Sequence, residues 1–399
     1  MVLPRQTSLV SLLAALALIP GCGAGTAPQA DVLRRDSAGV AIVESPAALA
    51  LAPLPWVIDT APQIALGVLD GEASYQLHRI SGVAARPGGG ILVMNGDPPE
   101  LRFYDADGVS LHQAGRSGDG PGEFRFPLLV PALGDDSLRI FDRAGRLSVF
   151  DPEGGFIRSH PVRLGYPVGV LGGGRLLTDE NTASVGMDTP EGTTQSDVRY
   201  ELVDLSSGIR DTVALVTGQM LYVTSGARPS FTQVPFDVAT SAAVAADRFY
   251  LTAGEAPEIS MYDSAGGLRG IWRLALEREP VSRAAFDRVV ESRLSFARTA
   301  ADSLELRRRY GRMPVPALRP TIQRLLVDRL GHLWVERFRV DPTRPRQWFV
   351  LDPTGRALGM IETPARFLIE EIGPDYLLGW WPAGEDVERV GRFGLRRAP

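Results

Sequence analysis

The chain has one cysteine and no lysine, so all 42 of its basic side chains are arginine. A single thiol, Cys22, excludes an internal disulfide and any zinc site built from several thiolates, and its place so near the start removes it as a catalytic nucleophile. Without lysine there is no amine for Schiff-base chemistry and no P-loop lysine to reach a nucleotide's phosphates. Histidine is scarce: His78, His112, His160 and His332 stand at unrelated places, and neither H-E-x-x-H nor G-x-S-x-G occurs. No metal and no cofactor are expected. The chain also lacks a strong charge of one sign. Its formal net charge is −5, with acids and bases interspersed, so nothing supplies the broad positive field that phosphate backbones require, and nucleic acid is excluded as a partner. The longest apolar run, Leu9 to Ile19, falls short of the roughly 20 residues that span a bilayer as a helix.

What the run does fit is the apolar core of a secretory signal, preceded by one cation, Arg5. Its ending, "IPGC", resembles the bacterial lipobox, with Ile19 and Gly21 in the aliphatic and small positions before Cys22 and Pro20 between them. That resemblance implies that residues 1–22 are a lipoprotein signal peptide with its lipobox cysteine, that cleavage leaves Cys22 N-terminal and acylated, and that a lipid bilayer is the partner through an anchor of two or three chains. Gly23 to Ala38 then read as a polar tether. Gly23 after the cysteine, as in enteric lipoproteins, implies the outer membrane, facing the periplasm or the cell surface.

From Gly39 to the end the chain reads as short β-branched and aromatic runs broken by Gly, Pro and Asp, the pattern of many strands. One turn recurs: "FYDADG", "IFDRAG", "VFDPEG", "MYDSAG", "LVDRLG" and "VLDPTG" each bring an apolar strand end to Asp, two variable residues and Gly. This is the code for a type I turn followed by a left-handed residue. As calcium loops they fail, since each offers one or two oxygen side chains where an EF-hand needs several within about 12 residues. Asp105, Asp151 and Asp204 recur at 46 and 53 residues, the spacing of four-stranded propeller blades.

Laid end to end, residues 39–399 give an all-β, six-bladed propeller with inner strands starting near Ile80, Pro127, Pro167, Asp237, Thr321 and Phe367. The sixth unit runs out of chain after three strands. An N-terminal segment, either "GVAIVES" (Gly39 to Ser45) or "WVID" (Trp56 to Asp59), should complete it and close the ring. Between Pro280 and Pro314 the period becomes helical, with Phe286, Val289, Val290 and Leu294 on one face. This is a helical insertion between blades four and five, expected to lie over the ring or its rim. Its basic run Arg307 to Arg309 reads as a solvated helix face.

The run "GRSGDGPGEFRFP" (Gly115 to Pro127) has four glycines in eight residues, yet it leads into Pro127 and an apolar stretch with no helical period. A phosphate cradle needs a helix there, so the loop serves to hand one blade over to the next. That run, the Asp-x-x-Gly turns, "DRLGHLWV" (Asp328 to Val335) and the lipobox together resemble bacterial six-bladed β-propeller lipoproteins related to NHL-repeat proteins. The resemblance implies a fold and an exported location, and hardly any activity.

Residues at the entrances of the inner strands are the candidate ligand contacts: His78, Arg79, Arg125, Tyr166, Asp237, Arg319 and Arg366. The set is poor in carboxylates and rich in guanidinium groups, so it would repel calcium and hold a carboxylate or phosphate in bidentate forks. The expected function is a non-catalytic binding or interaction scaffold for an anionic small molecule, glycan or peptide, or for a protein. An exported lyase or lactonase working at the channel mouth, like the gluconolactonase and amidating-lyase propellers, is the alternative. A further alternative for the arginines is pairing with local acids or stacking on aromatics.

Overall fold

A computed structural model describes residues 31–132, 137–162, 165–182, 189–224, 230–237, 240–295, 297, 299–384 and 387–398. The expected signal segment, Cys22 and the first part of the tether lie outside the described residues. The described chain is all-β and propeller-like: six sheets of four or more strands follow one another in sequence, each begun by three or four strands joined as antiparallel hairpins. Their first strands are Val83–Ala85, Pro127–Leu129, Tyr166–Leu171, Ser241–Val244, Ile322–Val327 and Leu368–Ile372, which number the sheets first to sixth. The second and third strands carry the near-continuous apolar runs, such as Ile91–Gly96 and Arg346–Leu351, because both their faces are covered by neighbouring sheets.

The first strands touch one another in a closed cycle. Leu129 N–H donates to Ser81 O at 3.1 Å, Val170 N–H to Pro131 O at 2.9 Å and Gly172 N–H to Ala246 O at 2.7 Å, linking the first four sheets in order. Leu325 N–H then donates to Ser241 Oγ at 3.0 Å, and Arg329 N–H to Ile372 O at 2.9 Å. Ala85 N–H returns to Glu371 Oε2 at 3.0 Å, joining the sixth sheet to the first.

The two candidate closing segments part company. Trp56–Ile58 pairs antiparallel with the last strand, Glu388–Arg397, with Trp56 opposite Arg397, and Ile64–Leu66 continues along the same strand. Val40–Pro46, from the other candidate, pairs in parallel with Leu268–Ala275 at the outer edge of the fourth sheet. The expected tether also ends early. Leu33–Ser37 is a strand, folded back on Val40–Pro46 through a two-residue turn in which Ala38 and Gly39 both have positive φ, the hairpin geometry that matches strand twist.

The recurring Asp-x-x-Gly turns form as the residue pattern demands. Asp105 Oδ1 accepts from the backbone N–H groups of Asp107 and Val109, and Asp151, Asp263 and Asp352 repeat the arrangement. Their places differ, however. Asp105, Asp151, Asp204, Asp263 and Asp352 join the third and fourth strands of their sheets, Asp142 joins a second to a third, and Asp328 a first to a second. The loop from Gly115 closes on itself: Glu123 accepts from Gly120 N–H at 2.8 Å and from Arg116 Nε at 2.8 Å, while Phe124 is buried in the core between the first two sheets. These bonds hold the Glu123 carboxyl below the usual carboxylate range, the Gly120 N–H contributing most. The donors a phosphate would need are already used.

Two helices, Arg283–Leu294 and Ala300–Arg312, stand between the fourth and fifth sheets, capped by Ser282 and Thr299. Phe286, Val290 and Leu294 pack with Tyr310 and Met313 against Tyr222 of the third sheet's long hairpin and against Val234 and Phe236, just beyond its edge strand Ser230–Gln233. The basic run is tied down: Arg307 chelates Glu291 at 2.5 and 2.9 Å, and Arg309 pairs with Glu305 at 3.0 Å.

Candidate functional site

The first strands of all six sheets wall one cavity of about 270 Å³. Six first strands meeting at one cavity leave little room for side chains, and Ala and Val are the commonest residues of its wall. At Gly169 an added Cβ would collide with Val244 and come within 3.1 Å of Pro131 O. Ionic groups enter this apolar wall from several sheets: Arg86, Arg139, Arg324, Arg329, Glu370 and Glu371.

Three of the six first strands carry a bulge where they pair with their second strands. Register slips between Pro167 and Gly169, between Ile322 and Arg324, and between Ile369 and Glu371, leaving Val168, Gln323 and Glu370 as the extra residues. A bulge breaks the two-residue alternation and re-aims side chains. It thereby lets two successive glutamates, Glu370 and Glu371, line one cavity.

These neighbours do different things. Glu371 is fully used: Oε2 accepts from Ala85 N–H at 3.0 Å, and Oε1 accepts from Arg329 Nε at 2.6 Å and from the Tyr376 hydroxyl. It ties the fifth, sixth and first sheets together. Glu370 accepts one bond, from Trp380 Nε1 to Oε1 at 3.1 Å, and Oε2 has no partner among the described residues. Burial pushes its carboxyl above the usual range, against the positive charge of Arg324 and the Trp380 bond. Although protein surrounds Glu370, its side chain is half-buried and remains open to the cavity.

Arg324 lines the same cavity, and its guanidinium makes no hydrogen bond or ion pair with any described residue. Arg86 lies 4.7 Å above the Phe103 ring and donates to Pro152 O at 3.2 Å, while its Nε, buried, is without a partner. Arg139 is buried at the second sheet and donates to Ser137 O at 3.2 Å. The cavity wall thus has more guanidinium than carboxylate groups, in surroundings where charge is weakly screened.

None of the seven residues expected from the sequence lines this cavity. All but Tyr166, which begins its strand, precede the first strands, whereas most of the wall is built by residues within those strands and next to their ends. Arg79 is exposed 3.9 Å from Asp97, and Arg125 pairs with Asp119. The N–H of His78 donates to Asn95 Oδ1 at 2.8 Å. Tyr166 lies under Arg143 at 5.5 Å, Asp237 is buried and accepts from Met220 N–H, and Arg366 is exposed. Arg319 shares Glu279 with Arg337 beside a second cavity of about 410 Å³ near the start of the fifth sheet. The local pairing considered for these arginines is what Arg79, Arg125 and Arg319 show. Among the described residues no group of three or more His, Cys, Asp or Glu could hold a metal ion, and no helix is long and apolar enough to cross a membrane.

No family model and no curated protein matches the chain. Solved structures similar to it include a member of the DUF4221 family from Bacteroides vulgatus, with 11% identity over 86% of this chain and 99% of that one at a TM-score of 0.48. A Bacteroides fragilis protein named as exported has 12% identity over 90% and 100%, with a TM-score of 0.46. Regucalcin of Agrobacterium tumefaciens, named as a calcium-binding protein, has 13% identity over 89% and 97%, with a TM-score of 0.38. These likenesses are too loose to carry an argument about this chain.

Proposed function

We propose that the chain is a six-bladed β-propeller, exported and held at the outer membrane by acyl chains on Cys22, that binds a small anion in its central channel without transforming it. The cycle of contacts among six first strands and the completion of the last sheet by Trp56–Ile58 support six blades. The lipobox resemblance of "IPGC" supports the anchor. The observation that carries the binding reading is Arg324, a guanidinium inside the channel with no hydrogen-bonding partner. Arg324 is half-buried, and an anion entering the cavity would supply its guanidinium fork with the charge-assisted partners that the described residues do not.

The test is thermal stabilisation of the full chain by a panel of small anions, with Arg324→Ala beside it. An anion at a hundred times its Kd should add about 2.7 kcal/mol. The variant should lose that gain; equal stabilisation of both proteins, or none of either, defeats the reading. A lyase or lactonase is the second reading because burial raises the Glu370 carboxyl beside a cavity, the direction of shift a general acid uses. Turnover of lactones that disappears in Glu370→Gln would favour it.

A further inference from the structure

The channel wall separates two kinds of surface. Most of it is aliphatic, from Val83, Leu129, Val168, Val244 and Leu325. Arg324 and Glu370 come from neighbouring first strands, the fifth and the sixth, and interact through their charges. Arg324 offers an unpaired planar fork, and Glu370 keeps one oxygen on Trp380 Nε1 and leaves the other without a partner. A planar anion with two oxygens and an apolar body matches this division.

We propose that the channel's ligand is a small carboxylic acid with an apolar body, its carboxylate held by the Arg324 fork and hydrogen-bonded to the Glu370 carboxyl. The inference rests on the anion-binding reading above and narrows it to one chemical class. Three observations bear on it. The bulge at Glu370 is what turns this carboxyl into the cavity beside Glu371. Burial keeps its proton on beyond the usual range, so it can donate where an ordinary glutamate would repel an anion. The cavity, at about 270 Å³, has room for about nine waters and so for a molecule the size of benzoate.

A phosphate dianion fits less well. It would place a second negative charge near Glu371, whose carboxylate already takes the Arg329 charge, and would find one free fork where it could use two. The charged groups sharing the cavity with Glu370 are Arg324 on the fifth sheet, Glu371 on its own strand, Arg329 beyond the fifth strand's end, Arg86 beyond the first and Arg139 on the second sheet. Trp380 and Tyr376 face its strand from the next one, Tyr376 through its bond to Glu371. Burial raises the Glu370 carboxyl, so a carboxylate ligand bonded to it should be released as pH rises through its titration.

Calorimetric titration of the full chain with benzoate, inorganic phosphate and benzamide, at about pH 5.5 and about pH 8, tests this. Benzoate should bind at the lower pH and at least about tenfold more weakly at the higher, with phosphate and benzamide at least about tenfold weaker than benzoate at the lower pH, each factor corresponding to about 1.4 kcal/mol. Glu370→Gln keeps an acceptor for Trp380 and a donor for the ligand, so it should bind benzoate equally at both values. Arg324→Gln should lose benzoate at both. Benzoate affinity that ignores pH, a pH dependence that survives in Glu370→Gln, or phosphate binding as tightly as benzoate overturns the inference. Phosphate bound through Arg324 without benzoate leaves the anion-binding reading standing and removes this one; no binding of either anion removes both.

Discussion

Arg397 Nη1 donates to Asp328 Oδ2 at 2.8 Å, joining the last strand of the chain to the turn that opens the fifth sheet. The carboxylate is wholly buried and also accepts from Trp334 Nε1 at 3.1 Å and from the backbone N–H groups of Leu330 and His332. The same guanidinium lies 4.4 Å over the Trp56 ring and donates to Gly373 O at 2.9 Å. One side chain thus fastens the N-terminal closing strand, the C-terminal strand and the adjacent sheet.

Removing it should open the closure. Breaking a buried ion pair from one side strands the other charge, so Arg397→Ala is expected to cost about 3–5 kcal/mol in denaturant unfolding. Asp328→Asn combined with Arg397→Met, which leaves no lone charge, should cost clearly less than the two single changes added together. Equal additive losses would mean that the two residues act separately.

The repeated glycine turns make a second, graded prediction. Gly355 has φ +87, and a Cβ there would lie 2.5 Å from Trp272 Nε1 in the fourth sheet, so the turn is a plug pressed into its neighbour's core. Gly331 has nearly the same φ, +86, but an added Cβ would meet nothing nearer than Pro353 at 3.5 Å. Gly331→Ala should therefore show the left-handed backbone cost alone, roughly 1–2 kcal/mol. Gly355→Ala should exceed it by a clear margin in the same unfolding experiment. Similar losses at both positions would show that the turn does not dock.

Strands, turns and first-strand positions were legible because Asp-x-x-Gly and short apolar runs are local codes, and local codes survive whatever packs around them. Two things were not. The six turns look alike in sequence, yet Asp328 and Asp142 occupy hairpins different from those of the others, since the turn code does not say which strands it joins. The channel residues were missed for a related reason. The expected site was placed at strand entrances, whereas Arg324, Glu370 and Glu371 reach the cavity within strands, two of them beside bulges that only pairing reveals. A trace was present in "FLIEEIG", where two adjacent acids interrupt an otherwise apolar strand and break its alternation.

The helical pair should depend on one ring. Phe286 is fully buried among Tyr222, Val234, Phe236 and Tyr310. Phe286→Ala should cost about 3–5 kcal/mol of local stability by leaving a cavity. Because the contacts run to the third sheet's hairpin and edge strand, hydrogen exchange should quicken first in Arg283–Leu294, Ala300–Arg312 and Ser230–Gln233. Unchanged exchange there, with loosening in the first strands, would refute the local attachment.

Glu370 makes a prediction about stability that needs no ligand. Its carboxyl is raised by burial, so between the ordinary carboxylate range and its own higher value the folded chain keeps a proton that the unfolded chain has released. The folded state binds more protons in that window, and stability must fall as pH rises through it. Asp179, also raised by burial, adds a slope of the same sign. Asp328 acts oppositely and lower down. Burial raises it, but the bonds and charges of His332 and Arg397 outweigh that and hold it low, so its contribution is complete above the ordinary range and fades as acid protonates it. His160, held low by burial and by Arg158, adds a rise of the opposite sign below the ordinary histidine range, so the effect is read as a difference: Glu370→Gln should remove a falling component from the wild-type dependence of denaturant midpoints on pH, and Asp179→Asn a further one. Wild-type and Glu370→Gln curves that run parallel across that range would mean that Glu370 is ionised in the folded chain.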